Sequence, residues 1–155
     1  MTTLIFGNKT SATRQSARQD VALLIGRIAL GVVLIAHGWQ KFFSYGISGV
    51  AANFDTMGVP LPAASATFAA VVELVGGILL IIGLAVPLIG LLVAIDMAGA
   101  LLFVHAPNGV FVDGGGYELV LVIGALAVVF AGLGAGAYAI DRLIPTRSRR
   151  SAVAA

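Results

Sequence analysis

The sequence contains no cysteine and little charge. Without cysteine the chain has no disulfide, no thiolate metal ligand and no thiol of its own, so any thiol chemistry belongs to a partner. Charged residues make up only 10% of the chain, whereas hydrophobic residues make up 59%. This balance is far from that of a soluble domain and indicates an integral membrane protein in contact with the lipid bilayer.

Lysine and arginine are missing from the middle of the chain. The two long segments between apolar runs, 44–62 and 106–116, contain neither residue, whereas both ends of the sequence are basic. Because basic loops stay in the cytoplasm, both termini are expected on the cytoplasmic side of a bacterial inner membrane. Terminal basic residues of this kind indicate membrane orientation, and no nucleic-acid partner is predicted.

Proline is absent from four long apolar runs. These runs are residues 21–43, 63–86, 88–105 and 117–139, and all five prolines lie outside them. Because proline interrupts the helical hydrogen-bond ladder, each run is predicted to form one helix long enough to span the membrane. The sequence therefore predicts an all-α integral membrane protein, an antiparallel four-transmembrane-helix bundle at 21–142, between cytoplasmic tails at 1–20 and 143–155.

Two connections are also predicted. Residues 44–62 are too short to span, but Val50, Phe54 and Met57 recur at helical spacing, which favours a short interfacial helix. Only Pro87 separates the second and third spans, which favours a tight hairpin over one long kinked helix.

Glycine is abundant and supplies close helix contacts. Gly132 and Gly136 form a GxxxG pattern on the fourth predicted span, which in lipid can drive self-association of two copies. We interpret the pattern as helix packing within one subunit, with self-association into a homo-oligomer as the alternative.

Ionisable residues lie inside the apolar runs. Arg27, Glu73 and Asp96 are predicted near the middle of the membrane, where charges are costly and need partners. We interpret them as a buried structural ion-pair set that fixes the helix arrangement, and a polar pocket is the alternative.

A second set lies nearer the outer boundary and is predicted to line an outer-half polar pocket: His37, Lys41, His105 and Glu118. Two histidines that titrate near neutral pH beside a carboxylate and an ammonium suit proton handling. A metal site from His37, His105 and Glu118 has no ligand-spacing motif, so none is predicted. Asp96 and His105 are nine residues apart, about 180° on an ideal helical wheel, so a straight helix cannot bring both to one face.

The ordered motifs resemble a known family. Arg27, HGWQK at 37–41, GVPLP at 58–62, VELVGGILLIIGL at 72–84, Asp96, His105 and GYELVL at 116–121 are similar to the DoxX family of small bacterial membrane proteins. The resemblance implies a four-helix bundle related to the DoxD subunit of thiosulfate:quinone oxidoreductase. It also implies sulfurtransferase- or superoxide dismutase-like partners and a role in oxidative stress.

These observations leave three functional hypotheses. The first is a quinone-binding subunit of an oxidoreductase complex, with no cofactor of its own and with electrons supplied by a partner. The second is a non-catalytic membrane anchor or scaffold for partner proteins. The third, a small transporter or proton path, has less support because no discontinuous helix or inverted repeat is evident. No catalytic residue can be named from the sequence.

Overall fold

The computed structural model describes residues 9–143, with side chains from residue 17 onward. This part of the chain is all-helical. Five α-helices follow in order: α1 Lys9–Trp39, α2 Gly46–Thr56, α3 Pro62–Ile82, α4 Val86–Gly99 and α5 Glu118–Leu133. Residues 9–20 of the predicted polar tail are therefore helical, and the predicted tail at 143–155 lies outside the described residues apart from Leu143.

Two α-helices continue as π-helical segments. Gln40–Ser44 extends α1, and Ala100–His105 extends α4 before a single 3-10 turn at Ala106–Asn108. With these extensions, three stretches are long and apolar enough to cross a membrane: Ala17–Ser44, Pro62–Ile82 and Val86–Asn108.

The fourth predicted span differs from the structure. The helix α5 has 16 residues and ends at Leu133, because Gly134 and Gly136 both adopt positive φ angles. Gly136 therefore lies outside the helix, and a Cβ on Gly132 would meet nothing within 4 Å. The two glycines therefore do not share one helix face, and the interpretation that Gly132 packs closely within one subunit was wrong, whereas self-association of two copies stays a prediction.

The predicted short helix and the predicted hairpin are both present. The helix α2 packs on α3 and buries Val50. The hairpin turn is Gly83 to Ala85, earlier than expected, because Gly83 in the left-handed region ends α3 with the Leu84 N–H bonded to the Leu79 carbonyl. Pro87 does not break the chain here but lies in the first turn of α4, where its missing N–H costs nothing.

Neighbouring helices run antiparallel. The helix α1 packs along α3, α3 along α4, and α4 along α5. Backbones approach closely between α1 and α3, where a Cβ on Gly31 would lie 2.6 Å from the Gly77 carbonyl oxygen. Small residues of this kind replace the hydrophobic force that lipid cannot supply between helices. We call the end that holds residues 83–85 the turn end and the end that holds α2 and residues 106–117 the loop end.

Candidate functional site

A cavity of about 530 Å³ lies at the loop end, where residues of all five α-helices and of the two π-helical extensions line it. Most of its wall is apolar, and Phe54, Phe68 and Phe103 supply aromatic faces from three different elements. Its ionisable lining residues are His37, Lys41, Glu73, Asp96 and His105. A largely apolar pocket of this size with a few polar groups is the usual form of a small-molecule site.

Lys41 and Glu73 form an ion pair within this wall. Lys41 Nζ donates to Glu73 Oε2 at 2.6 Å, and only 5% of Glu73 is exposed. The antiparallel packing of α1 on α3 explains the pairing, because Gly38 lies against Leu74 one turn away. A buried carboxylate of this kind needs a cation close by, and Lys41 provides it.

Asp96 lines the same cavity and is also buried. Only 8% of the residue is exposed, and its buried Oδ2 atom has no hydrogen-bond partner among the described residues. Buried polar atoms are nearly always hydrogen-bonded in folded proteins, so an unpaired one calls for an explanation. Asp96 is therefore a candidate to form a hydrogen bond with a ligand bound in the cavity.

His105 reaches the cavity because α4 does not continue as a straight α-helix. The helix changes to π-helical hydrogen bonding at Ala100, and this wider form turns less per residue than an α-helix. Asp96 and His105 consequently line the same cavity, although an ideal wheel places them on opposite faces. His105 Nδ1 lies 2.7 Å from the Gly115 carbonyl oxygen, and since a carbonyl only accepts, Nδ1 carries the hydrogen and donates it.

Glu118 and His37 have different positions relative to this site. His37 is half-buried and lines the cavity. Glu118 does not line it, because its Oε1 accepts the Val112 N–H at 2.7 Å and thereby holds the 3-10 turn Val112–Gly114. Among the described residues, no three His, Cys, Asp or Glu side chains come together closely enough to hold a metal ion.

Arg27 lies at the turn end, away from the cavity. It is fully buried, and its Nη1 donates to the Leu80 carbonyl at 3.0 Å while Nη2 donates to the Tyr138 carbonyl. The predicted set of Arg27, Glu73 and Asp96 is therefore not one ion-pair cluster, because antiparallel packing sets Arg27 opposite the last turn of α3. Glu73 pairs with Lys41 instead, and both carboxyl groups belong to the cavity.

Sequence reasoning missed Asp141. Its two carboxylate oxygens accept the N–H groups of Ala85 at 2.7 Å and Val86 at 3.1 Å, so it caps the start of α4 from a distant part of the chain. Ala85 has a positive φ of 53°, and this cap stabilises that unfavourable backbone. Only the acidic character of Asp141 amid small and apolar residues signals a role, and nothing in the sequence indicates its partner.

The comparisons with known proteins agree with the helical membrane character. A protein-family model, DoxX, matches residues 22–106. An uncharacterized protein of Haemophilus influenzae is 36% identical over 118 residues, which are 74% of this chain and 84% of that protein. A Bacillus subtilis protein named "Putative oxidoreductase CatD" is 28% identical over 113 residues, 73% of this chain and 81% of that protein. No solved structure matches the chain.

Proposed function

The chain belongs to the DoxX family of membrane proteins, and on that premise we propose that it is a membrane subunit of an oxidoreductase complex that binds a quinone. The observation that carries the proposal is the cavity at the loop end, which combines apolar and aromatic walls with ionisable side chains. The oxidoreductase named among its relatives supports the reaction class.

The residues present fit a quinone ring. The cavity volume of about 530 Å³ lies in the usual range for small-molecule sites, and the three phenylalanine side chains suit a flat ring. Lys41 and His37 lie on one helix and supply hydrogen-bond donors for a ring oxygen. Since most of the wall is apolar, the site suits a carrier that arrives through the lipid.

A bound quinone supplies a carrier that takes up or releases electrons together with protons. His37 would hold or release a proton beside it at a ring nitrogen, and His105, whose Nδ1 hydrogen goes to the Gly115 carbonyl, would accept a proton at Nε2. The Lys41–Glu73 pair keeps one cation in the wall, where it orients the ring oxygen. Electrons pass to or from a partner protein, and the family resemblance makes sulfurtransferase- and superoxide dismutase-like proteins the candidates.

We place the chain in the bacterial cytoplasmic membrane with α5 as a fourth span and both termini in the cytoplasm. The helix α5 is about 24 Å long at 1.5 Å per residue, shorter than the roughly 30 Å hydrocarbon core. Residues 134–139 continue beyond it at the turn end and complete the crossing. In this orientation the cavity lies in the outer half of the membrane.

A binding titration tests the site. Purified protein in lipid nanodiscs is titrated with a short-tailed benzoquinone by calorimetry, and His37→Leu is compared with the unaltered chain. We expect the variant to raise Kd about tenfold, because it removes one hydrogen-bonding group without emptying the space.

Glu118→Gln is the matched control. The amide oxygen still accepts the Val112 N–H, and Glu118 does not line the cavity, so Kd should stay unchanged. An unchanged Kd in His37→Leu would remove His37 from the site. No quinone binding by the unaltered chain would refute the proposed function.

A further inference from the structure

The α1 and α4 sides of the cavity present different hydrogen-bonding groups. The α1 side carries Lys41, whose ammonium has three N–H donors and uses one on Glu73. The α4 side carries Asp96 and His105. A ligand that lies between these two sides therefore meets the Lys41 ammonium on one side and Asp96 and His105 on the other.

The α4 side is rich in acceptors. His105 donates its Nδ1 hydrogen to the Gly115 carbonyl. In the neutral ring the other nitrogen, Nε2, then carries only a lone pair and can accept a hydrogen bond. Oδ2 of Asp96 is buried and has no hydrogen-bond partner within the described residues, and in its carboxylate form this side chain can only accept. Both groups would be satisfied by a ligand that brings its own O–H or N–H.

From this division we propose that the cavity binds the reduced, dihydroxy form of the ring in preference to the oxidised dione. A dione has only acceptor oxygens, so it can use Lys41 but leaves the Asp96 carboxylate unsatisfied. A ring hydroxyl both accepts and donates, so one hydroxyl takes a hydrogen bond from Lys41 and the other gives its hydrogen to Asp96 or His105. Because a site that needs a donor rejects analogues without one, the preference is strong.

The inference rests on the proposed function. It adds that Asp96 and His105 distinguish the reduced from the oxidised form of the bound ring. Tighter binding of the reduced form raises the midpoint potential of the bound couple. A tenfold preference corresponds to about 30 mV for a two-electron couple. The site therefore holds the reduced carrier longer than the oxidised one.

Three ligands that share the same ring skeleton test this preference on the unaltered chain. The protein in nanodiscs is titrated anaerobically with a short-tailed benzoquinone, its hydroquinone and the dimethyl ether of that hydroquinone. We expect the hydroquinone to bind at least about tenfold more tightly than the dione, and the ether, which lacks both O–H groups, to lose that advantage. Equal affinity for hydroquinone and dione, or an ether that binds as tightly as the hydroquinone, would overturn the inference and leave quinone binding intact.

A substitution then assigns the preference to Asp96. Asp96→Asn keeps the shape of the side chain but replaces one acceptor oxygen by an N–H donor, so the hydroquinone-to-dione preference should fall about tenfold. Asp55→Asn makes the same chemical change on α2 at an exposed residue outside the cavity wall and should leave the preference unchanged. An unchanged preference in Asp96→Asn would show that Asp96 does not recognise the oxidation state of the ring. If the unaltered chain bound neither the hydroquinone nor the dione, the proposed function itself would be refuted.

Discussion

Arg27 and Lys41 lie on the same helix but stabilise different ends of the molecule. Arg27 donates to carbonyl groups in the last turn of α3, where a helix has acceptors without partners. The negative end of the helix dipole also favours a cation there. Lys41 instead balances the charge of Glu73 in the cavity wall. One residue is thus a cap and the other belongs to the candidate site.

Replacing Arg27 tests its role as a cap. Arg27→Leu should lower the free energy of unfolding by about 3 kcal/mol, because the buried Leu80 carbonyl and the Tyr138 carbonyl both lose a charged donor. Arg27→Lys should recover part of this loss, since a single ammonium cannot reproduce the fork of a guanidinium. Unfolding by sodium dodecyl sulfate in mixed micelles measures both.

Arg142→Leu is the matched control for this measurement. Arg142 is exposed near the same end, so its loss should change the free energy of unfolding by less than about 0.5 kcal/mol. Equal effects of the Arg27 and Arg142 substitutions would contradict the assignment of Arg27 as a buried cap.

For single residues, the sequence identified the buried ionisable side chains correctly but did not identify their partners. Apolar context alone singled out Arg27, Glu73 and Asp96, and all three are buried. Their pairing depended on which turn of α1 faces which turn of α3, and that register is set by glycine contacts that no spacing rule specifies. The sequence also gave no sign that Glu118 bonds to the backbone of its own loop.

At the scale of the helices, close backbone approach separates two kinds of glycine. A Cβ on Gly38 would lie 2.8 Å from Leu74 Cα, whereas a Cβ on Gly132 would meet nothing within 4 Å. The first position needs glycine because two helices touch there. The second does not need glycine within this subunit.

Alanine substitutions should therefore have opposite signs at these two glycines. Gly38→Ala should destabilise by about 2 kcal/mol, because overpacking forces α1 away from α3. Gly132→Ala should stabilise by up to about 1 kcal/mol, since alanine favours a helix interior. Detergent unfolding of both variants gives the comparison, and a strong loss of stability at Gly132 would show instead that this face packs against another copy.

The helices themselves were largely predictable from hydrophobic runs and proline positions. The π-helical segments were not, because a shift of backbone bonding from four to five residues leaves no mark on an apolar pattern. Yet the segment Ala100–His105 is what brings His105 to the cavity that Asp96 also lines. The least predictable local feature is therefore the one that assembles the candidate site.

At the scale of the whole molecule, the absence of cysteine makes the proposed topology directly testable. Asp113→Cys lies in the loop end and Arg142→Cys in the turn end, and both positions are exposed. In intact spheroplasts a membrane-impermeant maleimide should label the first variant only, and permeabilised cells should show both. Labelling of both or neither in intact spheroplasts would contradict four spans with cytoplasmic termini.

The connections made by the last described residues have a consequence for biosynthesis. Asp20 accepts the Ala137 N–H, Arg27 binds the Tyr138 carbonyl, and Asp141 caps α4, so the chain after α5 ties together parts made much earlier. Because a chain is synthesised from its N-terminus, α1 and the α3–α4 hairpin enter the membrane before these ties exist. Arg27 therefore has no Tyr138 partner until the residues after α5 have been synthesised, so these contacts form late in synthesis.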